Sequence, residues 1–103
     1  MSIPPLAALR AFEAVARHLS FTRAAEELGM TQAAVSYQIR LLEERLATPL
    51  FLRKPREIAL TETGALFARP TVEAFDLLRE AYADPSADSV STLSISTVPT
   101  FAG

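Results

Sequence analysis

"RAAEELGMTQAAVSYQIRLLEE", Arg23–Glu44, carries two helical segments divided by one glycine. Ala24, Ala25 and Leu28 recur at helical spacing before Gly29, and Val35, Ile39 and Leu42 do so after it. Glycine readily takes the left-handed conformation that ends a helix. Thr31 follows as an N-cap for the next one. The spacing therefore predicts two helices joined by a tight turn, with Ala25 small enough to let the second pack across the first: a helix-turn-helix.

The helix that starts at Gln32 has two distinct sides. At about 100° per residue, Val35, Ile39, Leu42 and Leu46 share one sector, while Ala33, Ser36, Tyr37 and Arg40 share another, with Gln32 at the first turn. The second sector is short-chained where a solvated surface normally carries Lys and Glu. A helix entering a DNA major groove must bring its backbone close to base edges, which requires small residues such as Ala33, Ala34 and Ser36. Gln32 can then pair bidentately with adenine, and Arg40 can reach guanine or phosphate. An ordinary surface helix, with Ala for propensity and Gln for solubility, is the alternative reading of this stretch alone.

Upstream, Pro4 and Pro5 suit the opening of a helix. Leu6, Leu9, Phe12, Ala16 and Leu19 form an apolar stripe that predicts a first helix to about His18. Ser20 caps a second helix beginning at Phe21 or Thr22, with Phe21, Ala24, Ala25 and Leu28 inward. Downstream, the third helix is expected to end near Ala47, before Pro49. "LFLRKPREIAL", Leu50–Leu60, then reads as a two-stranded hairpin, Leu50–Leu52 and Ile58–Leu60, with Arg53, Lys54 and Arg56 at its tip. Such a tip can straddle a phosphate ribbon or enter a minor groove, or it is simply a solvated charged turn. Directly after a candidate recognition helix, a basic hairpin is what a winged helix uses.

Thr61, opening "TETG", caps a long helix expected to run to about Ala83, which Pro70 should kink or shift in its start. Along it Phe67, Ala74, Leu78 and Ala81 fall on one side and Val72, Phe75 and Tyr82 on the adjoining side. That surface is too apolar for a lone helix in water, so it packs back on its own domain or meets a second copy, and a dimer is the favoured reading. A two-fold dimer would read an interrupted palindrome with half-sites about one helical turn apart. "ADPSADSVS" is a linker by composition. "TLSISTV" alternates like a strand with nothing left to pair it, leaving open a second domain or a frayed terminus.

The totals set outer limits. A chain of 103 residues, half of them hydrophobic, supports one compact domain with a modest core. It contains no cysteine, which removes disulfides and thiolate chemistry, and one histidine, His18, too few for a metal site. His18 reads as a partner for a helix dipole, and the pairs Glu26/Glu27 and Glu43/Glu44 as solvated or ion-paired with nearby arginines. No nucleophile, base and orienting group stand together, so no enzyme is expected. Neither a signal peptide nor a membrane span is evident, and a soluble, cytoplasmic protein is the expectation. The net charge is −2, yet residues 1–60 hold eight Lys/Arg against six Asp/Glu while residues 61–103 hold two against six.

From Pro5 to Gly64 the chain resembles the N-terminal DNA-binding domain of LysR-type transcriptional regulators, through "LRAFEAVARHLSFTRAAEELGMTQAAVSYQIRLLEERL", "PLF" and "RKPREIALTETG", in order and without gaps. It looks most like the branch that includes glycine-cleavage activators and beta-lactamase gene regulators. The resemblance implies a mainly α fold: a winged helix-turn-helix with a two-stranded β wing over residues 1–60, then a linker and dimerisation helix over 61–84. Residues 85–103 would be a hinge and the first strand of an effector-binding domain absent from this chain.

The resemblance also implies DNA contacts from Thr31, Gln32, Ala33, Ser36, Tyr37 and Arg40, and from Arg53, Lys54 and Arg56 in the wing. The second helix's N-terminus, at Ser20 and Thr22, would lie near a phosphate. Phe67, Val72, Ala74, Phe75, Leu78 and Tyr82 would form a homodimer interface, with a tetramer as a further option in a full-length protein. Double-stranded DNA is the implied partner. No cofactor, metal or membrane is implied, and a small-molecule effector only through the missing domain. A winged-helix module binding an acidic protein partner is the alternative. Three positions depart from the family pattern: Tyr37 stands where Arg or another basic or polar residue is frequent, while Ala47 and Glu57 each replace a common glycine, Glu57 adding a negative charge beside Arg56.

Overall fold

The computed structural model describes residues 3–83. Over these the chain forms α1 (Leu6–His18), α2 (Phe21–Leu28), α3 (Gln32–Leu46), β1 (Phe51–Lys54), β2 (Glu57–Leu60) and α4 (Glu62–Ala81). The expected strand in "TLSISTV" lies outside the described residues.

Local chemistry sets most of the boundaries. Ser20 Oγ accepts from Arg23 N at 3.1 Å, Thr31 Oγ1 from Ala34 N at 3.0 Å and Thr61 Oγ1 from Gly64 N at 2.9 Å, each satisfying a donor that a helix start leaves free. Gly29 ends α2 with φ 67°, and Ala47 ends α3 in the same left-handed region with φ 59°. Leu19 does likewise after α1, with φ 49°, although no glycine marks the place.

The apolar stripe expected on α1 needs correction. Leu6 and Leu19, its two ends, are 61% and 46% exposed, whereas Ala8, Ala11, Phe12, Ala14 and Val15 are buried. The reason is that α1 is central and touches α2, α3 and α4, so its middle is enclosed nearly all round. Around it the core adds Phe21, Ala24, Ala25, Val35, Ile39, Leu42, Leu50 and Phe51.

Glu13, also on α1, is buried at 1% exposure. A carboxylate in such a place must be paired. Arg17 binds both of its oxygens from the next turn, and Arg79 of α4 donates to Oε1 at 2.7 Å. Arg17 also reaches Glu27 of α2, whose other oxygen lies 2.7 Å from His18 Nε2. His18 is thus a hydrogen-bonding partner of Glu27 as well as a last-turn residue of its helix.

The hairpin runs longer than expected. Arg53 pairs with Ile58 and Lys54 with Glu57 in an antiparallel ladder, so the turn is only Pro55 and Arg56, and Arg53 and Lys54 belong to β1 rather than to the tip. Proline cannot extend the ladder and fixes its own φ, which places the turn there. Leu50, just before β1, is held on both sides: its N–H donates to Glu43 Oε2 at 2.8 Å, and its carbonyl accepts from Thr61 N at 3.0 Å.

Proline 70 does not shift the start of α4, which begins at Glu62 and continues past it to Ala81. Its ring removes the N–H that would serve Leu66 and crowds that carbonyl, yet the helix is continuous on both sides of it.

Candidate nucleic-acid interface

The two sides of α3 are separated as its sequence spacing requires. Val35 and Ile39 have no exposure and Leu42 has 2%, while Tyr37 is 50% exposed. Thr31, Gln32, Ala33 and Arg40 are exposed, and Ser36 is half-buried at the border between the sides. The Arg40 guanidinium lies over the Tyr37 ring, 5.7 Å from its centroid, so the aromatic residue supports the cation one turn on. Leu41, 39% exposed, also reaches the surface of this helix, which the inward sector did not foretell.

The wing and α2 are joined by a second contact of that kind. Arg53 sits over the Phe21 ring at 4.8 Å from the centroid. Residues two apart on a strand share a face, and two places before Arg53 stands Phe51, which meets Phe21 edge-on at 6.1 Å and Phe12 at 5.5 Å. Sequence reasoning placed Phe21 only on the inner face of α2; the strand period of two links it to Arg53 once the register is known. Ser20, whose hydroxyl caps Arg23 N, and exposed Thr22 flank Phe21 at the same helix start.

The charges divide between two regions. Arg17, His18, Glu13, Glu27, Asp76 and Arg79 form ion pairs on the α1–α2–α4 side. Hydrogen bonds from Arg17, and then His18, hold the Glu27 carboxyl below the ordinary glutamate value against the opposing effect of burial. Among the described residues, none of Arg23, Arg40, Arg53, Lys54 and Arg56 belongs to such a pair. Cations on α2, α3 and the wing that stand outside these ion pairs suit an anionic ligand, although Glu57 lies opposite Lys54 in the ladder.

The expected dimer residues separate into groups. Phe67, Ala74, Phe75 and Leu78 of α4 line an apolar groove of about 440 Å³ together with Leu6 and Leu9 of α1 and Leu42 and Leu46 of α3. Val72 is half-buried away from it. Tyr82, 83% exposed, instead borders a charged cleft with Arg10, Glu13, Glu27 and Arg79. No group of His, Cys, Asp and Glu among the described residues is arranged to hold a metal ion. No helix among them is long and apolar enough to cross a membrane.

Comparison with known proteins agrees with this architecture. Residues 6–65 match the family model described as "Bacterial regulatory helix-turn-helix protein, lysR family". The glycine cleavage system transcriptional activator of Escherichia coli strain K12 is 52% identical over 101 residues, covering 97% of this chain and 33% of the relative. The HTH-type transcriptional activator AmpR of Citrobacter koseri is 68% identical over 65 residues, covering 62% of this chain and 23% of the relative. The chain thus spans about a third or less of the length of these relatives. Among solved structures, BenM_DBD in its complex with catB site 1 DNA superposes with a TM-score of 0.70 at 29% identity, over 86% of this chain and all of that one. A LysR-family transcriptional regulator from Eggerthella lenta superposes at 0.60 with 37% identity, over 71% of this chain and 99% of the other. The chain belongs to the lysR family of bacterial regulatory helix-turn-helix proteins.

Proposed function

We propose that this chain is the DNA-reading part of a cytoplasmic transcriptional regulator without catalytic activity, binding double-stranded DNA sequence-specifically through α3 in the major groove and through the basic wing on phosphate or in the minor groove. The observation that carries the reading is the division of α3: Val35, Ile39 and Leu42 anchor it in the core, while Gln32, Ala33, Tyr37 and Arg40 are left outside with short or polar side chains. The transcriptional roles of the relatives and the DNA complex of the BenM domain support it. Thr31 and Ser36 border the reading surface, Arg53, Lys54 and Arg56 supply phosphate contacts, and Ser20 and Thr22 bring the start of α2 to the backbone.

The working unit in this reading is a homodimer joined through α4 and the apolar groove of Phe67, Ala74, Phe75 and Leu78, with Val72 and Tyr82 at its margins. Residues 61–84 act as linker and dimerisation helix, and residues 85–103 lead to an effector-binding domain. Selection of bound sequences from random DNA tests the reading as a whole. An interrupted palindrome is expected. Recovery of unrelated sequences would reject the base-reading role, and recovery of single, unpaired half-sites would reject the dimer.

A further inference from the structure

We infer that Phe21 is a positioning residue for DNA binding: its ring fixes the direction of the Arg53 guanidinium, so that the wing presents a prearranged cation. The inference rests on the DNA-binding reading above.

Three observations carry it. Arg53 is exposed, yet its guanidinium carbon lies 4.8 Å from the Phe21 ring centroid, within the range of a cation–π contact. Phe21 itself is only 9% exposed and is fixed by Phe51, edge-on at 6.1 Å, which is in turn packed on Phe12 at 5.5 Å. Phe51 and Arg53 project from the same face of β1, so one ring receives both, and the wing strand is registered against the start of α2 at this point. Neither Lys54 nor Arg56 has a ring beneath it among the described residues, and a long side chain without such a contact loses rotamer freedom on binding. Arg53 has surrendered much of that freedom beforehand. An arginine suits the task better than a lysine, because its planar group can lie on the ring and still direct N–H donors outward to a phosphate.

The test uses the chain as it stands, with a mixed-sequence DNA duplex as probe, and compares Phe21→Leu, Arg53→Ala and the double variant. Leucine keeps the apolar filling and removes the π face. Phe21→Leu should weaken binding about twofold to fivefold, the size of an exposed cation–π contact, without changing the salt dependence, because the charge is still present. Arg53→Ala should weaken binding and lower the salt slope by about one. In the Arg53→Ala background, Phe21→Leu should add nothing. Independently of any variant's stability, the Arg53 side-chain δ protons of the unaltered chain should show an upfield ring-current shift by NMR.

Weakening by Arg53→Ala alone, with Phe21→Leu at full affinity, would overturn the positioning role and leave the DNA-binding reading intact. Additive losses in the double variant would make Phe21 merely structural. Unshifted Arg53 δ protons would remove the contact itself. Full affinity in Arg53→Ala would overturn both the wing's role and this inference.

Discussion

Gly64 rests directly on the backbone of Leu50: a Cβ added at Gly64 would stand 2.1 Å from the Leu50 carbonyl oxygen and 3.0 Å from its carbon. The same oxygen accepts the Thr61 N–H at 3.0 Å, so the start of α4 is pressed onto the segment that leads into the wing. Gly64→Ala gains about 1 kcal/mol of helix propensity. Against this, the obstructing atoms are backbone, which no rotamer change can move aside, so the cost falls at the upper end of the usual ~1–3 kcal/mol for overpacking and a net loss of about 2 kcal/mol is expected. Thermal or urea unfolding checks it; unchanged stability would show that α4 can lift off Leu50 freely.

Base reading and phosphate binding should separate by mutation. Gln32→Ala is expected to lose about 1–3 kcal/mol on the selected site and little on random DNA. Arg53→Ala should weaken both and lower the salt slope by about one. Titrations at several salt concentrations on the two DNAs distinguish them, and equal losses for Gln32→Ala would contradict its role as a base reader.

Ala47 carries a side chain at φ 59°, where the Cβ crowds the following carbonyl. The turn is otherwise well made: Ala47 N and Thr48 N donate to Glu44 O and Glu43 O, each at 3.2 Å. Ala47→Gly should relieve the crowding and raise stability by about 1 kcal/mol. A lower melting temperature for the glycine variant would refute this.

The depressed Glu27 carboxyl links stability to pH. Its folded value lies below the ordinary 4.5, so its contribution is fully present above that pH and is lost as pH falls through the lower folded value. Glu27→Gln should therefore lower the melting temperature at neutral pH, and the difference from the unaltered chain should shrink under acid. A difference independent of pH would show that the Arg17 and His18 contacts do not act through charge.

What could be read from the chain was local. Ser20, Thr31 and Thr61 announce helix starts through one hydroxyl each, Gly29 announces a stop, and the spacing of Val35, Ile39 and Leu42 gives the buried side of α3. The ends of α1 near His18 and of α3 near Ala47 were also expected, from the apolar stripe and from Pro49, but the left-handed backbone that makes those stops was suspect only at Ala47, by resemblance to a family that has glycine there, and Leu19 carried no signal of it. The extent of the hairpin was missed because charged residues continue its ladder, and a charge is as ordinary on an exposed strand as in a turn. Contacts between distant parts left no trace: Glu13 looks like any helical glutamate until Arg79, from the far end of the chain's last described helix, is brought against it. The support of Arg53 by Phe21 likewise depends on register and packing together.

Because Glu13 is enclosed and shares its charge between Arg17 and Arg79, α4 is keyed electrically into the body of the domain as well as stacked upon it. Swinging α4 outward would leave an interior anion with one guanidinium instead of two. The long helix and the helix-turn-helix therefore share one enclosed charge as well as an apolar seam, and parting them would cost both.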